Sequence, residues 1–322
     1  MNICVIGAGL SGLYAAYLLK NEGFEVKVLE ASDKAGGRIR TLQGFAEAPV
    51  ELGAEYIHGQ YSLFYNYVEY LGTAYAVQKG KSYLYHNGRV RNLKKLAREN
   101  NHIKKALKFF DKQWKYRGEE VTVETYLARQ EWYPEARDLM EVFAAEFGTS
   151  NQRLGMRSLA INESRWTSGN KDFKAKAGLY STLQEFLDCL ADDIQYNTPV
   201  VTVDYAAGKP LVEDLAGNLY RPDVVLITVP LGILKEGSLK FQPELPVAKR
   251  HAITTLGIDN VIKVVMKFKK SFWKKKMFEL YGGRVCPLYY VPWTRTEDTE
   301  NLLVGYITGE KAEQMQQTRN NS

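Results

Sequence analysis

Apolar and polar positions change period sharply near the start of the chain. Ile3-Cys4-Val5-Ile6 is an unbroken apolar run of the kind that fills a strand buried on both faces. It passes directly into Gly7-Ala8-Gly9-Leu10-Ser11-Gly12, after which Leu, Ala and Tyr recur at helical spacing up to Gly23, a residue type that ends helices. Ala16, four residues after Gly12, faces the sheet in that pattern. A second apolar run over 26–29 ends in Glu30. The order predicted for the first 30 residues is strand, tight turn, helix, strand, acid. Further along, 80–179 is mostly helical in pattern with a Trp/Tyr-rich stretch, and 93, 96, 103, 107 and 110 are apolar at the spacing of one amphipathic helix. A helix over 179–187 leads to Asp193-Ile194-Gln195-Tyr196. Strands over 200–205 and 209–213 follow as a hairpin around Gly208, with a second turn at Ala216-Gly217-Asn218. The run 224–229 is continuously apolar or β-branched and predicts another strand buried on both faces, and 259–322 predicts strands followed by a terminal helix near 310–317.

Composition narrows the class only a little. With 322 residues and 45% hydrophobic residues, the chain can bury a sizeable core in two domains of ordinary size. Cys4, Cys189 and Cys286 are odd in number and far apart, which argues against a disulfide framework and for a reducing compartment; Cys4 fits as a small buried residue of the first strand. No apolar stretch approaches the roughly 20 residues of a membrane-spanning helix. The first strand begins at residue 3, without room for a signal peptide, so a cytoplasmic protein is expected. The net charge of +6 is uneven: 89–117 carries 11 Lys/Arg against Glu99 and Asp111, and 263–276 carries seven lysines and no acid. The first patch is read as the solvated face of a helix rather than as a nucleic-acid or membrane contact, and no nucleic-acid partner is expected. His86, His102 and His251 show no metal-ligand spacing with one another or with a cysteine, so no metal is expected.

The glycine turn carries the first chemistry. Gly7 permits a tight turn, Gly9 lets backbone N–H groups approach a pyrophosphate, and Gly12 lets the helix pack close to the strand. The helix N-terminus offers Ala8, Leu10 and Ser11 N–H groups and a positive dipole end to phosphates. Glu30, 18 residues after Gly12, is placed to accept ribose hydroxyls, and its charge would repel the 2′-phosphate of NADP. A second glycine pair, Gly36-Gly37, with Arg38 behind it, adds a further backbone segment and a guanidinium for the diphosphate. A simple NAD dehydrogenase does not need that second clamp; an extended FAD does.

From these residues onward the chain resembles the flavin-containing amine oxidases, the family of monoamine oxidases, polyamine oxidases and lysine-specific histone demethylases. Glu51-Leu52-Gly53-Ala54-Glu55-Tyr56-Ile57-His58-Gly59 is similar to the family segment passing beside the flavin ring, with an Ile-His-Gly ending closest to polyamine oxidases. Thr198-Pro199-Val200-Val201-Thr202-Val203 resembles the strand whose valine backbone, here Val201, holds the adenine. Val229-Pro230-Leu231-Gly232-Ile233-Leu234 and the following Phe241-Gln242-Pro243-Glu244-Leu245-Pro246 match a family signature, and 260–268 resembles the strand bearing the flavin-facing lysine, here Lys263. The resemblance implies an α/β fold: a Rossmann-like FAD-binding domain (1–78 and 180–258) interleaved with an α+β substrate domain (79–179 and 259–322). It implies a cofactor site formed by Gly7, Ala8, Gly9, Leu10, Ser11, Gly12, Glu30, Gly37, Arg38, Gly53, Ala54, Glu55, Tyr56 and Val201.

The reaction so implied is FAD-dependent oxidation of a small-molecule amine: hydride passes from the amine carbon to the flavin, water hydrolyses the imine, and dioxygen is reduced to hydrogen peroxide. Lys263 is the expected water-holding residue. Strand alternation places it on one face with Val261, Val265 and Lys267, between two valines that would desolvate it and lower its pKa. His58 is expected to position the substrate. Tyr289, Tyr290, Trp293 and Trp166 are read as core aromatics with a channel lining as the alternative. The basic surface does not favour polycations such as spermine unless a local acidic funnel overrides it, and Glu55 and Glu163 cannot be placed in one from sequence. Family members continue well past the part matching 305–310, so the resemblance implies a fragment, or a shortened protein lacking the last cofactor segment. Two classes stay open: an amine oxidase, possessing polyamine-oxidase-like features, or a catalytically incompetent protein of that fold used as a nucleotide-binding or interaction module. A flavin desaturase or porphyrinogen-type oxidase is a third reading, against which Lys263 and Pro230-Leu231-Gly232 argue.

Overall fold

The opening apolar run forms the strand Asn2–Ile6, and its four apolar residues are buried because strands flank it on both sides. The computed structural model describes residues 1–77, 79–283, 285–292 and 301–320. Ile194–Gln195, Glu25–Leu29, Asn2–Ile6 and Val224–Ile227 lie side by side in that order, every pair parallel. Helix Leu10–Asn21 crosses one face and buries Gly12, Leu13 and Ala16. Gly23, at φ +83°, ends it in the left-handed region, which costs glycine no steric strain. Phe186, fully buried, is packed by the rings of Tyr14, Tyr17 and Tyr67 at centroid distances of 5.8, 5.1 and 4.8 Å. Burial of Leu13 and Phe186 contributes about 1.5–3 kcal/mol each to this layer. On the other face Cys4, Ile6 and Leu29 pack against Val203 and Val212 of a second sheet and against Leu239.

The run at 224–229 departs from expectation. The strand spans Val224–Ile227, Val224 is 42% exposed and the other three are only half-buried. It pairs only with Asn2–Ile6 and so forms the edge of its sheet, where no neighbour covers its outer side. The basic stretch departs too. One continuous helix was expected from its apolar spacing, yet two form, Leu93–Glu99 and Asn101–Lys112. Asn100 between them is extended, and its side chain accepts from the N–H groups of His102 and Ile103. An asparagine in that role is a favoured N-cap, and capping here outweighs helix continuation.

The remaining strands converge from distant parts of the chain. A six-stranded sheet runs Val261–Lys267, Leu302–Thr308, Leu288–Tyr290, Met277–Tyr281, Lys81–His86 and Arg89–Asn92. A three-stranded sheet places Asp172–Ala175 between Ile57–His58 and Tyr75–Val77. The helix Gly309–Asn320 closes the described chain. The hairpin expected around Gly208 is present as Val200–Asp204 and Leu211–Asp214. No described helix is long and apolar enough to cross a membrane.

Candidate functional site

The two glycine segments meet. Gly36 N–H donates to the Ala8 carbonyl at 2.8 Å, and Gly9 bridges Gly36. A Cβ on Gly37 would stand 3.3 Å from the Gly9 Cα. Gly9 caps the helix Leu10–Asn21 without any side-chain bond, and a Cβ built on it would meet nothing within 4 Å. The helix start therefore faces open space that a ligand can approach to the backbone. Gly12 is the opposite case, since its Cβ would lie 1.9 Å from the Gly7 carbonyl oxygen. Arg38 is exposed, and its guanidinium takes no partner among the described residues. Its carbonyl accepts from Ala54 N–H at 2.9 Å, and a Cβ on Gly53 would collide with it at 1.9 Å, so the Gly53-Ala54 loop is seated on the second clamp.

Glu30 is buried at the end of its strand. Its Oε2 accepts from Ala8 N–H at 2.7 Å and its Oε1 from Ser32 N–H at 2.9 Å and the Ser32 hydroxyl. A carboxylate offers about four lone-pair sites, so acceptor capacity remains for hydroxyls. Val201 falls at the register irregularity of its hairpin and has no register partner in either pairing of that strand. The open glycine cradle, the unengaged guanidinium and the buried acid together suit a dinucleotide diphosphate with a ribose.

Beyond the cradle, Glu55 collects three partners in a space where its side chain is 5% exposed. Oε1 accepts from Lys174 Nζ; Oε2 accepts from Lys263 Nζ at 2.8 Å and from the Tyr290 hydroxyl. Lys263 also donates to Gly53 O at 2.7 Å and Glu51 O at 3.3 Å, while Lys174 donates to Pro292 O. Lys174 Nζ lies 4.9 Å from the Tyr56 ring centre and 5.9 Å from that of Tyr290, and Lys263 Nζ lies 5.9 Å from Tyr290. Burial alone would raise the Glu55 carboxyl, but the two lysine charges and their hydrogen bonds outweigh it and hold it below the usual carboxylate range. Burial pushes the Lys174 ammonium down, aided by the charge of Lys263 and opposed by Glu55. The expected valine pocket for Lys263 is thus replaced by an ion pair: Val261 is 43% exposed, and Glu55 and the Gly53 carbonyl surround the ammonium instead. Glu55, placed among the cofactor contacts from sequence, has its carboxylate committed to this cluster, leaving only the backbone of its loop for a cofactor.

A group of acids adjoins the cluster. Glu146 is exposed as a residue, yet the crowding of its carboxyl by protein first, then the charges of Glu279, Asp172 and Glu163, push it up to about 7. Burial also raises Glu279, against hydrogen bonds from Tyr281 (2.6 Å) and Ser82 (2.8 Å). Tyr56 is raised well above its usual value by burial and then by Glu55, Glu279 and Asp172, which places it between the buried cluster and the acids. His58 stands at the rim, exposed, its Nδ1 2.8 Å from Asp172 Oδ1. Tyr290 is buried inside the cluster, Tyr289 packs beside Cys286 and Ile307, and Trp166 is half exposed; Trp293 lies outside the described residues. Lys174, Glu146, Glu279 and Tyr281 carry no pattern that singles them out in the sequence.

Comparison with known proteins bears on the whole arrangement. Residues 10–321 match the family model described as flavin containing amine oxidoreductase. Human amine oxidase [flavin-containing] B is 26% identical over 98% of this chain and 67% of its own length. Probable polyamine oxidase 4 of Arabidopsis thaliana is 29% identical over 90% of this chain and 62% of its length. The chain therefore spans about two thirds of these relatives. In fold it is similar to putrescine oxidase bound to putrescine (TM-score 0.78, 21% identity, 98% of this chain and 77% of that one) and to cyclohexylamine oxidase from Brevibacterium oxydans (20% identity, covering 99% of this chain and 79% of that one).

Proposed function

The chain belongs to the flavin-containing amine oxidoreductases, and from that premise we propose that it oxidises an amine carrying a second positive charge, a diamine or polyamine. FAD is the family's cofactor, and when bound it supplies the two-electron oxidation that turns the amine into a hydrolysable imine, the electrons passing on to dioxygen. The contact of Gly9 with Gly36 and Gly37 carries the cofactor part of this reading, because it makes one backbone cradle from two glycine segments. Gly7 and Ala8 N–H groups already donate to Leu29 O and Glu30, so the N–H groups of the helix start at Leu10 and Ser11, with Arg38, would hold the diphosphate, Glu30 the ribose and the Val201 backbone the adenine.

The protein's own work is binding and orientation. Lys263 fastens the loop 51–55 through two carbonyls and Glu55. Its 3.3 Å bond to Glu51 O is the weakest of the three, so that donor is the one a water can take without breaking the cluster. His58 at the rim supports a substrate-positioning role. The acids supply the finer specificity: Glu279 and Asp172 put negative charge beside Tyr56, and Glu146 acts with both, a group that attracts a distal ammonium despite the overall positive charge.

The test is an absorbance spectrum of the purified chain after FAD loading, followed by anaerobic mixing with mono-, di- and polyamines. Retained flavin bleached by an amine is the expected result; flavin that no amine bleaches would sink the reading. Glu146→Gln is expected to raise the KM for a diamine by about tenfold and to leave a monoamine within about twofold. Glu146 is neutral below about 7 and charged above it. The wild-type diamine KM, taken relative to the monoamine, should therefore fall as pH rises through that value, and the variant should show no such dependence. Parallel KM changes for both substrates would remove Glu146 from the substrate site.

A further inference from the structure

Lys174 is the one lysine among the described residues that is buried as a whole residue, at 2% exposure. It sits in the central strand of a three-stranded sheet, and its Nζ reaches over to Glu55 Oε1 and Pro292 O. Glu55 needs one counter-ion, and Lys263 already supplies it at 2.8 Å. Burying a second ammonium, with Glu51 also acting on it, costs desolvation that an apolar side chain would not. Stability alone therefore does not account for a lysine at 174.

Geometry does. The terminal torsion of a glutamate is broad, so a carboxylate held at one oxygen alone is free to rock about that bond, and holding the second oxygen fixes its plane. With Oε1 tied to Lys174, only Oε2 faces Lys263 and the Tyr290 hydroxyl. We propose that Lys174 is a positioning residue for the amine oxidation: by clamping Oε1 of Glu55 it makes Oε2 hold the Lys263 ammonium against the Gly53 carbonyl. The inference rests on the amine-oxidase reading for its kinetic consequence, but the clamp itself is a property of the chain. The charged and titratable groups around Lys174 are Glu55, Lys263 and Glu51, with Tyr56 and Tyr290 presenting their ring faces and Tyr306 sensing the Glu55 charge.

Two measurements on this chain test the clamp. The first needs no cofactor: in protein labelled with [15N]lysine, the two buried ammonium groups give exchange-protected Nζ–H signals, assigned by Lys174→Met and Lys263→Met. Lys174→Met is expected to remove its own signal and to shift or broaden that of Lys263. A Lys263 signal that stays in place overturns the proposal. The second is a double-mutant cycle on the FAD-loaded enzyme, read as the rate of flavin bleaching by an amine. Each single variant is expected to slow bleaching about tenfold with amine affinity within about twofold, and the double variant to be slowed little further, because both break one unit. Effects that multiply, or a Lys174→Met variant altered only in melting temperature, overturn it. Should Lys174→Met not fold, Lys174→Gln, which keeps a polar donor but removes the charge, replaces it in both experiments. A wild-type chain that no amine bleaches defeats the functional reading while the NMR result still decides the clamp.

Discussion

Glu55→Gln is expected to destabilise the fold by about 3–5 kcal/mol, the cost of stranding buried charge when one member of a buried ion cluster is removed. Glutamine keeps the shape of the side chain, so no cavity contributes. It removes the carboxylate to which both Lys174 and Lys263 donate, and their side chains are 3% and 9% exposed. The amide can accept from one lysine but presents its NH2 donors to the other, where like meets like. Carbonyls of Gly53 and Pro292 remain, and dipoles alone do not replace a full charge. The acid side gives an independent check. Because the folded-state Glu55 value lies below the ordinary 4.5, the unfolded chain takes up the proton first as pH falls. The contribution of Glu55 is therefore present above 4.5 and lost as pH falls through the folded-state value, and Glu55→Gln should flatten that loss. Urea unfolding of wild type and variant across this range measures both effects. A variant within about 1 kcal/mol of wild type, closer to an ordinary surface change, would show that the lysines are not charged partners of Glu55.

The parts of this molecule that were legible beforehand are those whose signals are local. Turn chemistry fixed Gly7, Gly12 and the second pair Gly36-Gly37 in sequence, and family membership agrees with the α/β fold drawn from them. What local pattern cannot carry is the company a strand keeps. Asp172–Ala175 alternates polar and apolar, so Lys174 reads as solvent-facing; in the three-stranded sheet Phe173, Lys174 and Ala175 are buried at 3%, 2% and 3%. The run at 224–229 errs the other way, since an apolar sequence says nothing of whether a neighbour covers the strand's outer edge. The acids around Glu146 lie at 146, 163, 172 and 279 on separate elements, and only the tertiary fold assembles them. The same limit applies to charge: a chain of +6 holds a local group of acids because net charge is a sum and a site is a place.

Gly9→Ala and Gly12→Ala are expected to separate binding from folding within one motif. At Gly12 a methyl group would stand 1.9 Å from the Gly7 oxygen and 2.8 Å from Thr228 Oγ1. The first is backbone and cannot rotate away, so the helix must lift from the strand turn, at a cost of about 1–3 kcal/mol or more for overpacking a tight contact. Cofactor retention should fall with it, because the helix N-terminus moves. At Gly9 the backbone is already in a region open to alanine (φ −73°, ψ 174°), and nothing lies within 4 Å of the added carbon. The folded chain without cofactor should then stay within about 0.5 kcal/mol of wild type. The added methyl instead occupies the space through which a diphosphate approaches the N–H groups of the helix start, and FAD binding should weaken by at least about tenfold, or 1.4 kcal/mol. Thermal unfolding of the cofactor-free chains, beside FAD titration of each, reads the two quantities separately. Gly9→Ala binding FAD as wild type does would remove the diphosphate from this cradle, and Gly12→Ala of wild-type stability would remove the close helix–strand contact on which the cradle depends.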